Sequence, residues 1–206
     1  GVVAAQPGIV WRTTTPTTLA GIFGGAVAQG LQAQWSGNSP TYSYLLLNTA
    51  LADALSAYYT VSTYTALWGA NDSEGMNLVI SEMQKRRPDA IFSDNYIRGF
   101  LEEMTAHQIL MAAADAGDIT RAGILEAFQS AEIDFMGLAP NQTWSGDPND
   151  YIVRETYLYD VDASIFTPDA TVSDADGSTG NVLAAGPYAG TAAQAFTYEG
   201  PCFVAG

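Results

Sequence analysis

The hydrophobic pattern is clearest over residues 9–30, IVWRTTTPTTLAGIFGGAVAQG. Ile9–Arg12 is a short extended run. Leu19, Ile22, Phe23, Ala26 and Val27 then recur at the spacing of a helix whose apolar stripe packs on a sheet. Thr15 is placed to cap that helix, Pro16 suits its first turn, and Gly30 suits the position just past its end. Residues 31–35 read as a second strand, followed by the turn cluster Ser36-Gly37-Asn38-Ser39-Pro40. Residues 41–55 read as helical in their second half, and residues 57–64, AYYTVSTY, as a third strand rich in β-branched and aromatic residues. A helix over residues 74–87 has Met76, Val79, Ile80 and Met83 as its stripe, Asp72 or Ser73 as its cap and Pro88 as its stop.

Ser93 or Asp94 opens a long helix reaching about Ala116, with Tyr96, Phe100, Met104, Gln108, Met111 and Ala112 on one face and Gly117 at its end. The next helix starts at Asp118 or Thr120, turns Ile124, Leu125 and Phe128 inward and ends near Ser130. Residues 133–138 read as extended, 141–150 as a polar loop, 151–160 as a strand, 169–190 as a loop and 191–196 as a short helix. The stretch VVAAQ before Pro7-Gly8 reads as the end of a helix. Strands alternating with helices, followed by a helical block and further strands, predict an α/β fold with a mostly parallel sheet.

Composition narrows the function. The chain of 206 residues carries a net charge of −15, with a single lysine, Lys85. Nucleic acid and anionic membrane surfaces need basic patches, so neither is an expected partner. No apolar run is long enough to span a bilayer. His107 and Cys202 are the only residues of their types. Together they cannot make a zinc site of the usual kind, and His107 sits in mid-helix with no nucleophile motif beside it. The chain has no GxGxxG, P-loop or GxSxG motif. SDADGSTGN has the acids and glycine of a calcium loop but lacks its closing glutamate, and reads as a plain loop. No metal, no cofactor and no catalytic residue are therefore expected.

The chemistry that stands out lies at strand ends. Thr13, Thr14, Thr15, Thr17 and Thr18 crowd the junction of the first strand with its helix, where unpaired N–H groups favour an anionic group. Open α/β sheets bind ligands at such carboxyl ends. Asn38 and Ser39 follow the second strand as the threonines follow the first, so the two loops are expected to line one crevice. The threonines also read simply as a cap. Trp68 reads either as a ligand-packing face or as a core or hinge residue.

Four segments together carry a family resemblance: PGIVWRTTTPTTLAGIFGGAVAQGL, QWSGNSP, SAYYTVSTYTALWG, and DNYIRGFLEEMTAHQILMAAADAGDITRAGILEAFQSAEIDFMGL. In order and spacing the chain resembles the C-terminal half of substrate-binding proteins of branched-chain amino-acid-type ABC transporters. These are extracellular ligand-binding receptors of the type I periplasmic-binding-protein fold.

The resemblance implies two Venus-flytrap lobes. Residues 1–56 would be part of the second lobe, 57–67 a crossover strand, 68–150 part of the first lobe, and 151–206 a crossover and return to the second lobe. It implies a small polar solute held between the lobes without catalysis, an amino acid or an amide- or urea-like molecule. Thr13, Thr14, Thr15, Asn38, Ser39 and Trp68 are the candidate ligand-binding residues. An ABC permease would be the membrane partner, and a dimer of the fragment is a further expectation. The location would be extracytoplasmic, periplasmic or cell-surface, with a lipid anchor at a missing N-terminus, and Cys202 would pair with a cysteine of the missing half. Family members that bind amino acids hold the ammonium with an acid in the loop matching Gly37-Asn38-Ser39-Pro40, and no acid stands there. The alternatives are an α/β enzyme of flavodoxin-like topology and a sensor ligand-binding domain.

Overall fold

In the computed structural model, which describes residues 1–147 and 149–200, one five-stranded sheet organises the chain. Helix α1 (Val2–Ala5) leads into β1 (Ile9–Arg12), α2 (Pro16–Ala28) and β2 (Gln34–Gly37). Two short 3₁₀ turns, Ser39–Thr41 and Tyr44–Asn48, precede α3 (Ala52–Tyr58) and β3 (Tyr59–Thr63). Then come α4 (Glu74–Arg86), α5 (Asp94–Asp115), α6 (Arg121–Ser130), β4 (Glu132–Ile133), β5 (Gln142–Thr143), β6 (Thr156–Val161), β7 (Asn181–Tyr188) and α7 (Thr191–Ala195).

The strand order is β1-β2-β3-β6-β7, with β4 and β5 forming a separate pair. β1, β2 and β3 pair in parallel, with Ile9 opposite Gln34 and Trp35 opposite Tyr59. β6 runs antiparallel to both β3 and β7, so every strand of the sheet except β6 shares one direction. The sheet is mostly parallel in strand direction and flanked by helices, as the alternation of elements predicts.

Helix α2 starts as its residues dictate. Thr15 Oγ1 accepts from Thr18 N at 3.4 Å and Pro16 occupies the first turn. Gly30, at φ +82°, ends the helix where a side chain would be strained. Leu19, Phe23 and Ala26 are buried. Phe23 meets Trp35 edge-on at 5.3 Å and Tyr59 at 6.3 Å, which seats α2 across β2 and β3. Ser73, Ser93 and Thr120 cap α4, α5 and α6. Buried residues of α2, α4 and α5 and of β2, β3 and β6 form one continuous core.

Several boundaries and faces depart from the sequence reading. β2 begins at Gln34 rather than Leu31: Leu31 and Ala33 are buried, but pairing with β1 starts only where Ile9 meets Gln34. α3 runs on to Tyr58, which shortens β3. On α5 the deepest residues are Ile97, Leu101, Ile109 and Ala113, while Met111 is 49% exposed. The buried residues form one line at i, i+4 spacing, one residue past the expected face, whose Tyr96, Phe100, Met104 and Ala112 are partly buried beside it. On α6 Leu125 is exposed, and Gly123 and Ala127 are the buried positions. Residues 169–190, read as a loop, contain β7, whose Gly186 and Pro187 break any strand pattern. Cys202 lies outside the described residues.

Candidate solute-binding cavity

A cavity of about 540 Å³ opens at the carboxyl ends of β1 and β2, a size suited to a small molecule. Its walls come from the start of α2 (Pro16), the loop after β2 (Ser39, Pro40, Tyr42, Tyr44) and the beginning of α5 (Phe92, Asp94, Tyr96, Arg98). Gly37, the last residue of β2, lets these strand ends close together. A Cβ there would stand 2.5 Å from the Arg12 carbonyl oxygen and 3.0 Å from the Tyr59 hydroxyl.

Thr41 joins the two strand-end loops. It is fully buried. Its Oγ1 accepts from Thr14 N at 2.9 Å and shares its own proton between Asn38 Oδ1 at 2.7 Å and the Arg12 carbonyl at 3.2 Å. The threonine loop and the Asn38-Ser39 loop are thus tied together through a residue that the sequence reading passed over, while of the five candidates on these loops Ser39 alone lines the cavity.

The six sequence candidates take different places. Ser39 lines the cavity. Asn38 is half-buried, and its carbonyl oxygen serves Thr41. Thr15 caps α2. Thr14 is engaged through its backbone N–H, and Thr13 is exposed. Trp68 is buried and stacks on Phe92 at 5.7 Å, directly behind the cavity wall. It also meets Tyr96 edge-on at 5.9 Å.

Asp94 and the tyrosines around it are what the sequence reading missed. Asp94 Oδ1 accepts from Trp68 N at 2.8 Å, fastening the start of α5 to the segment after β3. Burial raises its pKa above the ordinary carboxylate value, against the opposing pull of that hydrogen bond and of Arg98. The Tyr44 hydroxyl donates to the Phe92 carbonyl at 2.8 Å. Burial, with the nearby Asp94 charge, pushes its pKa up to about 12. Tyr42 lies flat on Tyr59, centroids 5.4 Å apart. Its hydroxyl has no hydrogen-bond partner, and burial with the Asp94 charge holds it far above the ordinary phenol range. Asp94 was visible in the sequence only as a helix-start acid; that a distant backbone N–H and two tyrosines gather round it depends on the fold.

Asp174, in the stretch with calcium-loop character, accepts from Thr171 N and Thr171 Oγ1 and closes a turn. Among the described residues no group of three or more His, Cys, Asp or Glu side chains comes together. His107 is exposed on α5. No helix among the described residues is long and apolar enough to cross a membrane.

No family model and no curated protein sequence matches the chain. Solved structures do. A fatty acid ABC transporter substrate-binding protein from Thermomonospora curvata superposes with a TM-score of 0.77 at 20% identity, covering 95% of this chain and 46% of that one. A branched-chain amino acid ABC transporter from Thermus thermophilus, solved with bound valine, gives 0.68 at 18%, covering 94% and 49%. An ABC transporter substrate-binding protein from Aeropyrum pernix gives 0.57 at 14%, covering 77% and 42%. The chain spans about half the length of the first two of these, and over that span it has the fold of type I periplasmic binding proteins.

Proposed function

We propose that the chain is part of an extracytoplasmic solute-binding protein of an ABC importer, which holds a small polar solute between two lobes and does no chemistry on it. The observation that carries this reading is the cavity at the carboxyl ends of β1 and β2, walled by hydroxyl and aromatic side chains from three separate segments. Residues 1–56 and 151–206 belong in this reading to one lobe with its crossover, 57–67 to a crossover strand and 68–150 to the other lobe. In support, every strand of the five-stranded sheet comes from residues 9–63 and 156–188, while α4, α5 and α6 lie between them. Trp68, Asp94 and Tyr44 then stand where the lobes meet, and binding couples to closure about that line. The membrane partner is a permease that reads the closed form.

The test is a thermal-shift screen of the intact protein against amino acids, amides, short-chain carboxylates and polyols, followed by calorimetry. A ligand that binds the folded state alone raises the melting temperature by mass action. Saturable binding of one class with no turnover is the expected result; conversion of a bound solute to product would overturn the reading. Ser39→Ala is expected to weaken binding severalfold, the worth of about one hydrogen bond, without unfolding the protein. Unchanged affinity would remove Ser39 from the site.

A further inference from the structure

We infer that residues 162–180 form a clasp that ties the two sides of the cavity together behind its wall and so sets how far the cavity opens. The inference rests on the solute-binding reading and adds the control of that site to it. β6 ends at Val161 and β7 begins at Asn181, and the two strands are antiparallel neighbours. Such neighbours can be joined by ~2–5 residues. Here the connection instead leaves the sheet, reaches the helical block and returns. Its limbs are held to each other, Asp162 N donating to the Gly180 carbonyl at 2.7 Å and Thr167 N to the Ser178 carbonyl at 2.9 Å. It is a built element, not slack chain.

Both sides of the cavity are gripped. On the helical side, Thr171 forms an antiparallel bridge with Ile91, and Val172 N donates to the Ala90 carbonyl at 2.8 Å. Gln84 Nε2 of α4 donates to the Val172 carbonyl at 3.2 Å, and Ser173 Oγ to the Pro88 carbonyl at 3.0 Å. Ala170 and Val172 are buried there. Gly177 lies so close to Phe92 that a Cβ would stand 2.7 Å from Cζ of the ring. On the other side, Phe166 meets the Tyr44 ring at 6.1 Å. Between them, Thr179 Oγ1 donates to the Trp68 carbonyl at 3.3 Å. Tyr44, Ile91 and Phe92 line the cavity, whereas none of its described lining residues comes from 162–180. The clasp therefore fixes the wall without filling the site. Parting Tyr44 from Phe92 means giving up the bridge at Thr171 or the packing of Phe166.

Hydrogen exchange of the intact protein tests this without a solute. The reporter is the Trp68 N–H, which Asp94 holds at the start of α5 and whose ring stacks on Phe92. Local opening sets its rate. Val172→Pro removes the N–H that the Ala90 carbonyl accepts. Ile91→Cys with Thr171→Cys, in a Cys202→Ser background, adds a reversible lock. The Val172–Ala90 bond flanks these two residues, which makes them a non-hydrogen-bonded pair. Cα atoms come closest in such pairs, within a disulfide's reach. Val172→Pro is expected to speed exchange at Trp68 tenfold or more, with the amides of the β1–β2 ladder unchanged. The oxidised pair is expected to slow it about tenfold, and dithiothreitol to restore the parent rate. A Trp68 rate that neither change moves overturns the clasp and leaves the solute-binding reading standing. Should Val172→Pro speed the ladder amides too, by loosening the whole fold, the lock decides, and no slowing on oxidation overturns the clasp. Slowing by the lock with no solute bound in the screen strikes the solute-binding reading and keeps the restraint on the wall.

Discussion

The Thr41 hydroxyl is withdrawn from solvent and serves three groups on two loops. Thr41→Val keeps the side-chain shape and removes that hydroxyl, stranding Thr14 N–H and Asn38 Oδ1. The expected cost is about 1–3 kcal/mol, read as a lower urea midpoint with an unchanged slope. Asp94 behaves in the opposite sense. Its pKa is raised in the folded protein, so ionising it is harder there than in the unfolded chain. Its contribution to stability is fullest below the ordinary aspartate pKa and is lost as pH rises through the higher folded value. Asp94→Asn is therefore expected to melt above the parent protein at pH 7 and to converge with it near pH 3. A gap that stays constant with pH would contradict this. By contrast, Glu82 is held below the usual carboxylate range by Lys85 at 2.7 Å and Arg86 at 3.2 Å, but this exposed pair is expected to matter little to folding. Lys85 and Arg86, in the last turn of α4, thus serve their own helix. At this scale, caps and terminators were legible because they depend on near neighbours. Thr41 and Asp94 were not, because their partners lie 27 and 26 residues away.

Among the elements, α2 and β2 hold the site most directly. Phe23 is fully buried between Trp35 and Tyr59, so Phe23→Ala removes the contact that seats the helix. About 3–5 kcal/mol of destabilisation is expected, measured by chemical denaturation. Gly37→Ala acts on the strand ends instead. Its Cβ meets the Arg12 carbonyl, so β1 and β2 must part just where the cavity begins. Loss of solute binding is expected together with a lower melting temperature. The i, i+3, i+4 pattern of α2 was readable because one side of that helix faces the sheet. On α5 the fully buried line lies one residue past the expected stripe, whose Tyr96, Phe100, Met104 and Ala112 are partly buried, and periodicity alone cannot rank the two. β7 escaped notice because its exposed outer positions and its Gly-Pro pair carry little strand signal. Its pairing with β6 is set by the ladder from Asn181 opposite Val161 to Tyr188 opposite Thr156.

For the whole molecule, two properties oppose one another. Ile9 and Trp11 stand exposed on β1, an edge of the sheet, and Leu110, Met111, Ile119 and Leu125 are exposed on α5, on α6 and between them. Such surface invites self-association, while a net charge of −15 resists it. The chain studied by itself is expected to associate more as salt is added, because ions screen the repulsion and leave the apolar attraction. Sedimentation velocity at low and high sodium chloride would show it, and a size independent of salt would argue against it. The antiparallel insertion of β6 beside β3 pairs strands 100 residues apart, Thr60 with Asp160, a relation that no local pattern announces. The stack of Trp68 on Phe92 has an optical consequence. Of the four tryptophans Trp11 is 56% exposed, Trp144 is half-buried against Phe128, and Trp35 and Trp68 are buried; of these Trp68 touches the cavity wall. Emission from Trp11 and part of that from Trp144 should yield to an aqueous quencher, and the remaining blue-shifted signal should change as a solute fills the cavity. Binding would then be legible in the protein's own fluorescence, with no label attached.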